Sequence, residues 1–493
     1  MSNRNQLDPR ESGNTGINPN INGNHKNWLS IIKKFILFVG PGVMVSVSYM
    51  DPGNTSMNVS SGAQYGYKLL FAIFFSNIFA IILQCLCVKL GIVTGKDLAE
   101  NCREHLPRKL NYFIYVFAEL AIIATDLAEV VGTAVALKIL FNIPLNIGVL
   151  LTVLDVLIIL LFYRPEKHSM KNIRGFEIFV SILVAGTIFC FILELFKIQI
   201  KSKLKLFEGF LPSTVIFKET QAMYLSIGIV GATVMPHSLY LGSSLVKSRL
   251  NDFDLKKYGK IKSKPSLSAI NYTLGYSYAE LIFTLFFVAT FVNSAILIIA
   301  GATLYGQPDA DDADLLTIYD LLCQYITPAA GLIFALAMLF SGQSAGIICT
   351  MSGQIVSEGF LNWSIAPWMR RLITRMLAVI PCFFVTIFFG EKGVSGILNL
   401  SQVILSFMLP VVSAPLIYFT SSKKYMLVEK DVDETLASQE HELPTELTPL
   451  NNKYVDFSNS KLMRYTGFSV WLFIGSLNLY MVISYLLGAD IHF

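Results

Sequence analysis

Apolar residues in this 493-residue chain come in long blocks rather than in the alternation of a half-buried strand. Blocks of roughly 20 residues or more, the length that carries an α-helix across a bilayer, run over Ile31 to Met57, Leu69 to Val93, Tyr112 to Phe141, Leu145 to Tyr163, Phe176 to Phe196, Gln221 to Val246, Ala269 to Ala302, Ile326 to Gly359, Leu372 to Phe389, Val394 to Thr420 and Tyr465 to Leu487. Eleven membrane-spanning helices are expected. Two carry breaks, at Asp51-Pro52-Gly53-Asn54 in the first and at Met235-Pro236-His237 in the sixth. They lie five helices apart, so the second traverses the bilayer in the opposite sense. Paired interruptions of that kind mark the midplane site of an inverted-repeat transporter.

Composition excludes an ordinary soluble domain: 54% of residues are hydrophobic, 15% charged, and the mean hydropathy is +0.57. Lysine and arginine set the orientation, because short cytoplasmic loops keep positive charge. With a cytosolic N-terminus most basic residues fall inside, including seven between Lys247 and Lys264. The outer stretch Lys197 to Lys218, with five lysines, dissents and is read as a short solvated hairpin. Seven cysteines give neither a disulfide framework nor a zinc spacing.

Each break has a chemical consequence. Proline has no N–H to give to the carbonyl four residues back, so Pro52 frees the Ser48 carbonyl and Pro236 that of Ala232. Non-helical backbone at membrane depth is tolerated only where it is buried in protein or lines a cavity. Gly53 supplies the freedom to unwind. Asp51 and Asn54 add side-chain oxygens, Met235 a thioether, and His237 a group that exchanges protons near neutral pH. Oxygen and sulfur around a small cavity suit a borderline-soft divalent metal.

Ionisable residues inside spans are costly enough to be functional candidates. Asp126 and Glu129, three apart, share a helical face; a structural pair with Arg371 and a proton relay are both open to them. Arg370 and Arg371 open the ninth span and could snorkel. Glu119, Lys138, Asp155, Glu177, Glu194 and Glu280 are assigned interhelical pairing alone. Asp309, Asp311, Asp312 and Asp314 form an outer acidic loop, for which solvation is the plainer reading than cation collection.

Asp51-Pro52-Gly53-Asn54, Gly231 to His237, Asp126-Leu127-Ala128-Glu129 and Ser401-Gln402-Val403 together resemble the signature segments of the natural resistance-associated macrophage protein (Nramp) family, over about Phe35 to Thr420. The resemblance implies an all-α polytopic membrane protein, a LeuT-type 5+5 inverted repeat plus one extra helix. It implies proton-coupled transport of Fe2+ and Mn2+, with Co2+ and Cd2+ as further substrates, and no bound cofactor. Metal ligands would be Asp51, Asn54, Met235 and the Ala232 carbonyl, joined in the inward-closed state by the Ser48 carbonyl and Gln402. Protons would pass from Asp51 or His237 through Asp126 and Glu129 toward Arg370 or Arg371. Met408 departs from the family pattern, where many relatives have Gln. The short N-terminal arm and the ending Gly488 to Phe493 are similar to the fungal vacuolar branch, so the vacuolar membrane is expected, with plasma membrane or endosome as alternatives.

Four regions follow: a disordered cytosolic arm (1–30), a ten-helix core (31–420), a flexible cytosolic linker (421–462), and the eleventh helix with its tail (463–493). Metal ions, protons and the lipid bilayer are the expected partners, with no nucleic acid; the cytosolic loops are candidates for sorting or ubiquitin machinery. An amino-acid symporter on the same scaffold is disfavoured by an acid beside an anionic substrate group. A metal-sensing receptor would bring a soluble signalling domain, and an enzyme would need a nucleophile and base that the spans do not offer.

Overall fold

The computed structural model describes residues 40–162, 170–200, 202–262, 264–307, 315–362, 367–430 and 454–487. The N-terminal arm, the Asp309 to Asp314 loop, most of the linker and the tail after Leu487 lie outside these residues. Helices dominate: α1 (Pro41–Val47), α2 (Pro52–Tyr65), α3 (Leu70–Thr94), α4 (Leu98–His105), α5 (Arg108–Phe141), α6 (Leu145–Phe162), α7 (Met170–Lys197), α8 (Lys203–Glu208), α9 (Val215–Lys218), α10 (Thr220–Thr233), α11 (Pro236–Tyr258), α12 (Leu267–Phe283), α13 (Thr290–Thr303), α14 (Leu315–Tyr325), α15 (Pro328–Leu361), α16 (Pro367–Phe388), α17 (Gly390–Ser421), α18 (Lys423–Met426) and α19 (Lys461–Leu486). Among the described residues one π-turn, Thr284–Ala289, joins α12 to α13.

By length and apolarity, eight helical stretches among the described residues can cross a membrane, and Leu145–Leu154 and Leu372–Phe388 are shorter apolar helices. The first expected span is divided between α1 and α2, neither long enough alone. Large apolar side chains such as Ile380, Phe384 and Phe388 on α16 and Leu472, Leu479 and Leu486 on α19 point outward. Such a surface would be a liability in water and is the lipid-facing coat of an integral membrane protein. Polar side chains take the reverse placement, with Asp51, Asn58, Gln84, Glu129, His237 and Gln402 fully buried.

Both breaks place proline at the first position of the second half-helix rather than inside a helix. That position needs no N–H donor and favours the fixed φ of proline. Two carbonyls within the first gap find donors from other elements: Asn293 Nδ2 gives to the Tyr49 carbonyl at 2.8 Å, and Ser341 Oγ gives to the Met50 carbonyl. Gly231 is where α10 meets α17, since a Cβ there would lie 2.1 Å from the Gln402 carbonyl oxygen.

On the side expected to be cytosolic, polar contacts link several elements. Glu280 Oε1 on α12 accepts the backbone N–H groups of Gly40 (2.6 Å) and Gly42 (2.9 Å) at the start of α1. Beside it, Arg249 on α11 pairs with Glu177 on α7 at 2.6 Å. Gln84 Nε2 gives to both Tyr49 Oη (2.9 Å) and Ser238 Oγ (2.8 Å), tying α3 to both breaks. Further toward that face Lys247 reaches Asp97 (2.8 Å) and Glu100 (2.7 Å) of α4. Burial there pushes the Asp97 carboxyl up to about 6, against the pull of Lys247.

The expected linker is anchored at both ends. Strands β1 (Leu427–Glu429) and β2 (Tyr454–Asp456) pair antiparallel with Val428 opposite Val455, and Asn459 ties back to α17 through its N–H to the Thr420 carbonyl at 2.9 Å. These ends of the 421–462 stretch are therefore ordered, which apolar patterning missed because strands this short carry too little of it.

Candidate metal-transport site

The site begins with Asp51. As N-cap of α2, its Oδ2 accepts from Gly53 N and its Oδ1 from Asn54 N, both at 3.1 Å. The positive end of the helix therefore faces its carboxylate. One turn on, the Asn54 amide nitrogen gives to Asp51 Oδ1 and to the Ala232 carbonyl, each at 2.6 Å. A carboxylate oxygen from one break and a backbone oxygen from the other thus converge on one point. Ala232 lies in the last turn of α10, where carbonyls lack intrahelical donors and the helix dipole is negative. Helix C-terminal ends aimed at a midplane site are suited to cations.

Met235 is the N-cap of α11 and is fully buried. Gln402 on α17 approaches from the far side, so closely that a Cβ on Gly53 would stand 2.0 Å from its Nε2 and displace that side chain. Its Oε1 is buried without a hydrogen-bond partner, as is Ser48 Oγ. Buried oxygens without donors are costly in a polar network and well used by a cation. Asn54 can add another donor atom: turning its side chain by half a rotation about χ2 points Oδ1 where Nδ2 now sits. Such a turn exchanges a hydrogen-bond donor for a metal ligand, and a cation between the oxygens removes their mutual repulsion.

His237 lies two residues beyond Met235, its Nδ1 3.3 Å from Thr125 Oγ1 on α5. The Thr125 hydroxyl gives its one proton to the Ala121 carbonyl at 3.0 Å. The ring Nδ1 must then be the donor, which leaves Nε2 as the proton acceptor. Next along α5, Asp126 forms a buried ion pair with Arg375 of α16, and Arg375 Nη1 lies 3.9 Å from Glu129 Oε2. Cys349 on α15 joins the two acids, its sulfur and a carboxylate oxygen of each lying within 4.8 Å of one another.

The arginine at this cluster is Arg375, one turn deeper on α16 than the expected Arg370 and Arg371. The side chains of those two lie outside the described residues. Reading only the helix opening missed Arg375, although a charge four residues past Arg371 in an apolar run was itself the signal. Met408 packs with Ala121, Ala124 and Leu405, so that turn of α17 is apolar.

Helices broken in pairs, with polar groups meeting between them, define an integral membrane transporter of the LeuT-like class; a solved amino-acid-bound protein, MhsT, shares the fold at 13% identity and a TM-score of 0.50, covering 90% of this chain and 98% of that one. The family model described as natural resistance-associated macrophage protein-like matches residues 42–430, and the chain belongs to the Nramp family. It is 67% identical to the iron transporter SMF3 of Saccharomyces cerevisiae over 95% of this chain and 100% of that protein. It is also 47% identical to the manganese transporter SMF1 of the same yeast, over 92% of this chain and 86% of that one. Among solved structures, the manganese transporter of Eremococcus coleocola is 29% identical with a TM-score of 0.75, covering 94% of this chain and 90% of that one.

Proposed function

We propose that this chain moves Fe2+ and Mn2+ into the cytosol together with protons, by alternating access around the two breaks. Family membership makes it a divalent-metal transporter and not an enzyme. The observation that carries the site assignment is the meeting of Asp51 Oδ1 and the Ala232 carbonyl at the Asn54 amide. Asp51, Asn54, the Ala232 carbonyl and Met235 would bind the metal, with Gln402 and the Ser48 carbonyl joining when the inner side is closed. The thioether would discriminate against calcium and magnesium, which take hard oxygen shells.

Protons would leave by way of His237 and the Asp126, Glu129 and Arg375 cluster. Two carboxylates and one guanidinium carry one net negative charge when both acids are ionised, so the uptake of one proton neutralises the group. The vacuolar membrane is the proposed location, resting on the likeness of the N-terminal arm and of the ending Gly488 to Phe493 to the fungal vacuolar branch. Metal-driven proton movement in sealed proteoliposomes tests the coupling: Mn2+ or Fe2+ entry should acidify the lumen. Metal entry without acidification would overturn the proton assignment, and no entry at all would overturn transport.

A further inference from the structure

The eleventh expected helix, α19, falls outside the inverted repeat and supplies none of the proposed metal ligands. Its buried face is a stripe of Gly467, Val470, Ile474, Asn478 and Met481, spaced three and four apart. Asn478 is the one polar side chain in that stripe and is 4% exposed. Met481, one turn further, packs in the same apolar cluster as Ala232 and Val403.

Asn478 holds a carbonyl that α17 cannot satisfy by itself. α17 runs helical through Pro410, and proline has no N–H for the carbonyl four residues back, here that of Ser406. In hydrocarbon such an oxygen needs a donor from a neighbouring helix. Asn478 Nδ2 provides it at 2.7 Å, and Asn478 Oδ1 accepts from Ser406 Oγ at 2.9 Å. Both halves of the amide are therefore engaged by one buried residue. A further bond joins the same two helices, from Trp471 Nε1 to the Pro410 carbonyl at 2.8 Å. That carbonyl is in a different position, because Ala414, four residues on, retains its N–H.

Ser406 stands one turn beyond Gln402, and α10 leans on the turn between them: a Cβ on Gly231 would also lie 2.7 Å from Ser406 N. Ala232, whose carbonyl faces Asn54, follows directly. We propose that Asn478 supplies the donor that Pro410 lacks and so positions the Gln402 to Ser406 turn of α17 at the metal site. The inference rests on the reading of Gln402 as a metal ligand. It gives the helix outside the repeat a part in metal binding, through α17 and without touching the ion.

The test is Mn2+ uptake by the full chain in proteoliposomes, with KM and maximal rate read separately. Asn478→Leu keeps the volume and loses the donor, so KM should rise about fivefold, the worth of one net hydrogen bond, with the maximal rate held within about twofold. Pro410→Ala restores a main-chain donor to the Ser406 carbonyl, so the double variant should return KM to the wild-type value. Trp471→Phe breaks a bond between the same helices but orphans no carbonyl, and KM should hold. On a Gln402→Ala background, Asn478→Leu should add nothing further. A rise that Pro410→Ala does not reverse, an equal rise in Trp471→Phe, or an additive effect on Gln402→Ala overturns the positioning. Gln402→Ala without effect on KM overturns the ligand reading and the positioning with it. Asn478→Leu without effect where Gln402→Ala has one overturns the positioning alone. Should Asn478→Leu be lost from the membrane, recovery of transporting protein by Pro410→Ala supports the repair, and no recovery overturns it.

Discussion

A lone buried acid, Asp51, and an acidic pair, Asp126 with Glu129, both lie in the chain's core, and they differ in where their positive charge comes from. At Asp51 the hydrogen-bond donors are backbone N–H groups and the Asn54 amide; none among the described residues is a cation. At Asp126 and Glu129 the protein brings its own cation, Arg375. The second cluster has three atoms that could ligate a metal, Cys349 included, yet a fixed guanidinium already takes the place a metal would need. Composition alone therefore does not tell a metal site from a proton site. On the proposed assignment, the arginine standing among the acids is what separates the two.

The sharpest way to break this contrast is Asp51→Ala, which should reduce Mn2+ and Fe2+ uptake in proteoliposomes to background; substantial residual flux would remove the metal site from the first break. Arg375→Ala leaves buried acids unpaired and should cost about 3–5 kcal/mol of stability, read as a lower thermal midpoint in detergent. It should also free the cluster for soft metal, so Cd2+ should give a thiolate absorption band that disappears in Arg375→Ala with Cys349→Ser. A band equally strong with Arg375 intact would show that the arginine excludes nothing. Met235→Ala should narrow the preference for Mn2+ over Ca2+ about tenfold, corresponding to roughly 1.4 kcal/mol, measured by competitive uptake. Thr125→Val removes the hydroxyl that orients His237 and should cost about 1 kcal/mol. Its effect should show in metal-driven proton entry while metal affinity holds.

Much of this arrangement was legible because membranes punish irregular backbone. Prolines at 52 and 236 in apolar runs announced two gaps, and their spacing announced an inverted repeat. What patterning did not settle is where each gap falls relative to its proline: both rings sit at a helix start, and the unwound residues precede them. Nor did it reveal which arginine pairs with Asp126, since that depends on how deep α16 reaches before meeting α5. The π-turn at Thr284–Ala289 has no proline or glycine to signal it, and the sheet beside α18 rests on three residues per strand. Glu280, expected to pair between helices, instead receives main-chain hydrogens, a partner that side-chain bookkeeping along a sequence does not display.

That last contact has a genetic corollary. Under the proposed alternating access, α1 is fastened to α12 by main-chain hydrogens on one side and a single acid on the other. The helix-start half is sensitive to side chains too, because a Cβ on Gly40 would stand 2.3 Å from Glu177 Oε2 and one on Gly42 3.0 Å from Glu280 itself. Heritable loosening of this fastening should therefore collect at codons 40, 42 and 280 alike, whichever residue replaces the two glycines.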